Sequence, residues 1–388
     1  MEQQNIDYSR KWYIMAAVSM SIFLATIDGS IVNVALPTLV RELQADFATV
    51  QWVVLAYLLT QSTLLLGVGR LGDMVGKKPI YVSGFVVFTI GSVLCGLSPT
   101  VGWLIGFRVL QALGAAMMLA LGAAIVTEAF PPYERGKALG IIGTSVSIGV
   151  VVGPTLGGIL LQTLSWHWIF FVNLPVGIVG TAMALRFIPA FRPKGRQRFD
   201  YAGAITLCLS LLGLLLALTV GQQLGFGDSR IVGLLLVWLI FLGLFIAIES
   251  RSQHPMINLG LFRNILLSVN LVTGFVTFVA IAGVFILIPF YLENVLGYSV
   301  LRVGLMLAVV PVALGITAPI AGSLSDRLGT RPITVVGLIS LVAGYLAMGT
   351  LTANTGLLGY ILRLLPVGIG MGIFQSPNNS AIMSSAPR

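Results

Sequence analysis

Apolar residues fill twelve long runs along this 388-residue chain, and short polar connections separate them. Their approximate cores are 12–36, 48–69, 79–98, 101–126, 138–161, 168–188, 201–220, 231–249, 266–292, 303–322, 332–351 and 357–380. A helix crosses the hydrocarbon core of a bilayer with about 20 apolar residues. Each run meets that length, so the pattern predicts an all-α polytopic membrane protein with twelve spanning helices. No connection is long enough to fold as a separate soluble domain. The run from Trp12 continues into Asp28 and Pro37 without a small-residue cleavage site, so it reads as the first spanning helix and not as a signal peptide.

Composition agrees. Hydrophobic residues make up 57% of the chain, and Asp, Glu, Lys and Arg only 9%, against about 25% in a soluble domain. That shortage excludes a soluble enzyme, a disordered protein and a nucleic-acid-binding domain. The 45 glycines and 17 prolines suit spanning helices, where both are common. A net charge of +9 does not call for nucleic acid. With the N-terminus placed in the cytoplasm, 17 of the 22 Lys and Arg fall on the cytoplasmic side. Arg41, Arg230 and Arg302 fall outside, and Arg108 and Arg363 lie within apolar runs. Basic residues favour the cytoplasmic face, which predicts a cell (inner or plasma) membrane protein with both termini cytoplasmic. Cys95 and Cys208 sit inside apolar runs and read as core residues. No metalloprotease, P-loop or nucleophile-elbow motif is present, and no cofactor or metal is expected.

An internal repeat organises the runs. Gly69-Arg-Leu-Gly-Asp73-Met-Val-Gly76-Lys-Lys78-Pro79 matches Gly322-Ser-Leu-Ser-Asp326-Arg-Leu-Gly329-Thr-Arg331-Pro332 at a constant offset of 253. A looser echo relates Arg108-Val-Leu-Gln111 to Arg363-Leu-Leu-Pro366. The first match carries loop two–three onto loop ten–eleven, a shift of eight helices. A plain six-plus-six duplication shifts by six, so two helices are expected between the halves, at 201–220 and 231–249. This pair carries only aliphatic packing residues and no interior charge. The expected organisation is a six-helix bundle over 1–190, a basic loop and inserted pair over 191–264, and a C-terminal bundle over 265–388. That last bundle holds four helices and is read as incomplete.

The motifs resemble the major facilitator superfamily, specifically its fourteen-helix drug:proton antiporters (the EmrB/QacA type), with the last two helices lacking. The resemblance covers essentially the whole chain. It rests on Ile27-Asp28-Gly-Ser-Ile-Val-Asn33-Val-Ala-Leu-Pro37, Trp52 to Tyr57, the Gly69–Lys78 segment and Arg108-Val-Leu-Gln111-Ala-Leu-Gly114. It rests also on Gly149-Val-Val-Val-Gly153-Pro154-Thr-Leu-Gly157-Gly158, Trp166-His-Trp168-Ile-Phe-Phe-Val-Asn173-Leu-Pro175, His254-Pro255 through Phe262-Arg263, and Gly368-Ile-Gly370-Met-Gly372. Met74, Ala112, His167 and Glu293 depart from the usual pattern. The implied fold is the major facilitator fold, two pseudo-symmetric helix bundles plus the inserted pair.

Candidate chemistry falls in four places. Asp28 lies in the first apolar run, where a carboxylate is costly and faces a cavity or a partner. It reads either as a proton or cationic-substrate site or as a residue bonding locally near the outer interface with Asn33. Arg108 opens the fourth run, stays charged at any accessible pH, and has Gln111 one turn on. The resemblance implies that it tunes the proton affinity of a neighbouring carboxyl; a structural arginine snorkelling to an interface is the alternative. Gly149, Gly153 and Gly157 form one smooth stripe, with Pro154 and Gly158 beside it, and this is the family's antiporter helix. Close packing and a seal against leak are compatible roles. The stripe is expected to be tighter than the inserted pair at Gly213. Gly69, Asp73, Gly76, Lys77, Lys78 and Asp326 sit in short turns where Asp caps a following helix, and the resemblance implies a cytoplasmic gate.

The resulting expectation is a secondary active transporter that exports small amphipathic or cationic drugs in exchange for protons, with the lipid bilayer as its solvent. Adaptor and outer-membrane partners stay open. The alternatives are the same fold exporting a metabolite or siderophore, and an inactive truncated fragment.

Overall fold

The computed structural model describes residues 8–190, 200–252, 257, 259–298 and 300–385. Among them are twelve helices long and apolar enough to cross a membrane. They are α1 (Lys11–Glu42), α2 (Phe47–Val75), α3 (Lys77–Gly96), α4 (Val101–Ala129), α5 (Arg135–Thr163) and α6 (Trp168–Phe187). Next come α7 (Tyr201–Leu224), α8 (Ser229–Arg251) and α9 (Ile265–Phe290), which runs into a wide turn at Tyr291–Val295. The last are α10 (Val300–Leu307 continued by Val309–Leu328), α11 (Thr330–Met348) and α12 (Leu357–Ser385). Every predicted run is a helix. The described residues contain no strand; helices are one of the two ways, with closed barrels, in which a chain in hydrocarbon satisfies its backbone internally. The basic segment 191–199, His254, the side chain of Glu293 and Arg388 lie outside the described residues.

Local chemistry sets the helix ends. The Asp46 side chain accepts from the Thr49 backbone N–H at 3.2 Å and caps α2. Its hydrogen bonds to Thr49 hold this exposed carboxyl below its ordinary value. Asp200 caps α7 and Asp228 caps α8 in the same manner. Within the helices, Ser and Thr hydroxyls donate back to their own helix, as Thr26 does to the Ile22 carbonyl and Thr63 to that of Leu59. A hydroxyl bonded in this way costs little in lipid.

Contacts divide the chain into two compact units. One comprises residues 1–31, 123–158 and 261–388; the other comprises 32–122 and 159–260. The chain passes between them within α1, α4 and α5, and again at residues 260–261 before α9.

The second unit holds α2, α3, most of α4, and α6 to α8. A side-chain carbon added at Gly114 would meet the Phe88 backbone nitrogen and lie 2.7 Å from the Gly84 carbonyl oxygen; one at Gly91 would lie 2.7 Å from the Gln111 Cα. α3 and α4 therefore touch backbone to backbone. The inserted pair, α7 and α8, packs through Gly213, whose added carbon would lie 3.3 Å from the Leu234 carbonyl, and through Ser210, which donates to Trp238 O at 3.4 Å. One expectation holds in part and a second is corrected here. The α5 stripe is tighter than Gly213 at Gly149 and Gly153, where an added carbon would collide with Thr26 and Ser30, but not at Gly157, whose nearest neighbour would lie at 3.6 Å. The inserted pair carries a buried charge, for Glu249 at the end of α8 is 4% exposed beside Gly203 and the Asp200 cap.

The first unit repeats this packing. α10 spans the positions of α2 displaced by 253, from 47–75 to 300–328, apart from its break at Ala308. Gly76 (φ +108°) and Gly329 (φ +87°) are each the single non-helical residue joining two helices, in left-handed geometry that disfavours a side chain. An added carbon at Gly370 would lie 2.7 Å from the Leu341 nitrogen and 3.0 Å from the Gly337 oxygen. These are the counterparts of Gly114, Phe88 and Gly84. Gly344 meets Val367 as Gly91 meets Gln111.

The registers give a second correction. α4 and α12 are displaced by 256, as are Gly114 and Gly370. The counterpart of Arg108 is then Leu364, not Arg363. Arg363 is half-buried, donates to Thr350 Oγ1 at 2.8 Å and to Gly359 O at 2.9 Å, and lies within a helix that begins at Leu357 and runs through Pro366.

Substitutions at the paired glycines test the repeat. Gly114→Val and Gly370→Val force backbone apart and are expected to cost at least about 1–3 kcal/mol each. Gly243→Val, where an added carbon meets nothing within 4 Å, is expected to be tolerated. Thermal unfolding of the detergent-purified protein compares the three; equal tolerance would show that the contacts carry no load.

Candidate functional site

The most polar interior lies in the second unit, where α2, α3, α4 and α6 meet around Arg108. Arg108 is two turns inside α4 and 0% exposed, so it neither opens the helix nor snorkels. Its Nε donates to the Val53 carbonyl at 3.0 Å and its Nη1 to Gln111 Oε1 at 2.7 Å. The guanidinium carbon sits 4.1 Å from the Tyr57 ring centroid and 5.9 Å from that of Phe170. An aromatic face attracts a desolvated cation, and the carbonyl and amide oxygens supply negative ends of dipoles to a charge that arginine does not shed.

Gln111 extends the cluster. Its Nε2 donates to Ser92 Oγ at 3.2 Å, and its Oε1 also receives Cys95 Sγ at 3.6 Å. Asn173 Nδ2 donates to Ser92 Oγ at 3.0 Å, and Ser92 Oγ donates to the Phe170 carbonyl at 2.8 Å. All of these side chains are buried. Ser92, Asn173 and Tyr57 are not among the predicted site residues, although Asn173 and Tyr57 lie in motifs that carry the resemblance. A signal is nevertheless present: each is a polar side chain inside a long apolar run, a position that hydrocarbon makes costly.

Asp28 lies in the first unit, inside α1 and 0% exposed. Asn33 is exposed. Asp28 is thus enclosed by protein, whereas Asn33, five residues on, is not.

The glycine stripe of α5 faces α1 in the same unit. A carbon added at Gly149 would collide with Thr26, and one at Gly153 with Ser30. Ser30 Oγ donates to the Gly149 carbonyl at 3.1 Å. Gly157 makes ordinary contact with Ile31 at 3.6 Å, and Gly158 meets nothing within 4 Å. The tight part of the stripe is thus Gly149 and Gly153, with Pro154 half-buried beside them.

The two matching aspartates differ. Both are helical, in the last turns of α2 and α10, not in turns. The cap position before α3 is Gly76, and no side chain caps it. Asp73 is exposed, with Lys77 Nζ 3.9 Å away. Gly69, on α2, has open space, and Lys78 is half-buried in the first turn of α3. Leu65, Leu66, Arg70, Asp73 and Leu119 line a cleft of about 350 Å³ there. Asp326 instead caps α5: its carboxylate oxygens accept from the backbone N–H groups of Gly136 at 2.9 Å and Lys137 at 3.0 Å. Ser376 Oγ donates to the Gly136 carbonyl at 2.8 Å, and Thr144 Oγ1 to the Gly315 carbonyl at 2.7 Å. A carboxylate on the open N–H groups of a helix start is a charge-assisted contact on the positive end of its dipole. Close by, Lys11 pairs with Glu134 at 2.5 Å.

His167, in the connection before α6, stacks on Trp166 at 3.9 Å. Burial pushes its imidazole below the ordinary value, with the Glu42 carboxylate opposing. No group of three or more His, Cys, Asp or Glu side chains among the described residues could hold a metal.

Residues 18–388 match the sequence family described as Major Facilitator Superfamily. The riboflavin transporter RibZ of Clostridioides difficile (strain 630) is 36% identical over 379 residues, covering 97% of this chain and 82% of that protein. The multidrug transporter protein MdtP of Bacillus subtilis (strain 168) is 31% identical over 378 residues, covering 97% of this chain and 70% of that protein. Among solved structures, the human organic anion transporter MFSD10 aligns with a TM-score of 0.70 at 15% identity, covering 97% of this chain and 86% of that one. At that identity the likeness bears on the fold alone.

The Asp326 contact has a measurable consequence. Asp326→Ala removes both acceptors from the start of α5 and is expected to lower stability by about 1–2 kcal/mol. Asp326→Asn, which keeps one carbonyl acceptor, should cost less. Thermal unfolding of the purified variants orders them; a neutral Asp326→Ala would remove the contact from any structural role.

Proposed function

The chain belongs to the major facilitator superfamily, a multi-pass membrane transporter, and we propose that it is a proton-driven exporter of small amphipathic or cationic compounds. The observation that carries this reading is the pair of fully buried ionisable residues, Asp28 in α1 and Arg108 in α4. An ionisable group at membrane depth marks an ion or substrate pathway by default. A carboxyl there can hold a proton on one side of the membrane and release it on the other. Arg108 supplies a fixed positive charge in the membrane interior. Gln111 and Asn33 belong to the same machinery on this reading.

The fourteen-helix drug antiporter type is the finer assignment. The eight-helix displacement between the repeats supports it, since it leaves α7 and α8 as an inserted pair. On this reading residues 1–190 form the first bundle, 191–264 the basic loop and insert, and 265–388 belong to the second bundle. The stripe of Gly149, Gly153 and Pro154 supports antiport as a leak-proof helix contact. The cytoplasmic gate comprises Gly69, Asp73, Gly76, Lys77 and Lys78 of the first repeat and Asp326 of the second, whose hold on α5 opens when the protein turns inward. Both termini lie in the cytoplasm.

A second reading is transport of a planar metabolite, which the 36% identity to a riboflavin transporter favours. Ethidium and riboflavin therefore serve as the two probes. In everted vesicles, an imposed pH gradient is expected to drive ethidium transport by the intact protein, and Asp28→Asn to reduce it at least about tenfold at unchanged expression. Gradient-driven transport that survives in Asp28→Asn would sink the proton role. Riboflavin transport without ethidium transport would select the second reading. For topology, a cysteine at Ser229 should label from outside intact cells and one at Gly195 should not; the reverse pattern would overturn the orientation.

A further inference from the structure

The cluster around Arg108 contains more hydrogen-bonding groups than holding a guanidinium requires. Arg108 Nη1 needs an oxygen from Gln111 and receives it at 2.7 Å. A carboxamide, however, has two ends of nearly equal size and opposite polarity. Turned over, Gln111 would aim N–H groups at a positive charge. The orientation is fixed from the far end, where Nε2 donates to Ser92 Oγ at 3.2 Å. Ser92 is polarised in turn. Its single proton goes to the Phe170 carbonyl at 2.8 Å, and Asn173 Nδ2 donates to its oxygen at 3.0 Å. Its hydroxyl therefore presents only lone pairs to Gln111 and rejects an amide oxygen. Ser92 and Gln111 are 0% exposed and Asn173 is 1% exposed, so water does not substitute for any member.

We propose that Ser92 and Asn173 are positioning residues: held by the Phe170 carbonyl, they set the amide of Gln111 and through it the direction of the Arg108 guanidinium. The second repeat serves as an internal control. The positions of Arg108, Gln111 and Ser92 are occupied there by Leu364, Val367 and Tyr345. Where no charge is held, the relay is absent. The inference rests on the reading of Arg108 as part of the coupling machinery.

The test uses the full chain, purified and reconstituted into liposomes, as wild type, Ser92→Ala, Ser92→Thr, Gln111→Leu and the double variant Ser92→Ala/Gln111→Leu. Ethidium efflux is measured from pH 6 to 8.5, alongside thermal unfolding. Ser92→Ala and Gln111→Leu are each expected to lose about tenfold in efflux, the scale of a buried hydrogen bond, and to shift the pH profile in the same direction. The double variant should be no worse than the poorer single variant, because both remove one chain of contacts. Ser92→Thr, which keeps the hydroxyl, should restore the profile. An unshifted profile in Ser92→Ala, or additive losses in the double variant, would overturn the proposal. Wild-type efflux indifferent to the pH gradient, or absent, would defeat the proton reading instead. The unfolding temperatures then decide the positioning role, non-additive losses sustaining it and additive losses overturning it. If Ser92→Ala does not fold, Asn173→Leu in the wild-type and Gln111→Leu backgrounds completes the same cycle: non-additive losses sustain the positioning role and additive losses overturn it.

Discussion

Helices dissolved in hydrocarbon gain nothing by hiding apolar side chains from one another, so close backbone approach and internal hydrogen bonds must hold them. The outer faces of this protein show the first half of that statement. Ile240, Phe275 and Leu346 are 59%, 70% and 71% exposed, a surface that water would reject and lipid accepts. The interior shows the second. Its contacts run through Gly114, Gly153, Gly322 and Gly370, where an added side-chain carbon would strike a neighbouring helix. Glycine is a poor helix former in water, and its use here reflects what apposed helices gain when no side chain stands between them.

The repeat and the chemistry part company on this scaffold. The left-handed hinges at Gly76 and Gly329 and the contacts of Gly84 and Gly337 keep one geometry. The side chains that this geometry brings together do not. In the second unit they are Tyr57, Ser92, Arg108 and Gln111, joined by hydrogen bonds and a ring–cation contact. In the first unit the equivalent positions hold Val310, Tyr345, Leu364 and Val367, which belong to or pack against one apolar cluster that also takes in Leu341 and Met371. α9, the counterpart of α1, carries no Asp or Glu between Ile265 and Phe290. One packing plan thus supports a charged interior in one repeat and an apolar one in the other.

The matching aspartates diverge in the same way. Asp73 stands exposed in the second unit, while Asp326 seats both carboxylate oxygens on the first N–H groups of α5 in the first unit. Similar local sequence gives each the same place at a helix end. What each touches depends on which helix start comes within reach, and neighbours along the chain do not encode that.

The sequence by itself determined the twelve helices, because spanning hydrocarbon imposes a length and a composition that are visible one run at a time. It also determined the eight-helix displacement, because a Gly-x-Leu-x-Asp pattern and a hinge glycine survive at fixed spacing. Asp28 and Arg108 were legible for the same reason, as charges where lipid penalises charge. The tertiary structure decided the rest. It replaced Arg363 with Leu364 as the counterpart of Arg108, since three extra residues between the repeated helices shift the register without changing the local pattern. It separated Gly149 and Gly153, which meet Thr26 and Ser30, from Gly158, which meets nothing. It brought Ser92, Gln111 and Asn173 together from three helices. Hydrogen bonds between residues up to 81 positions apart depend on helix rotation and crossing, and those are settled only when backbones touch.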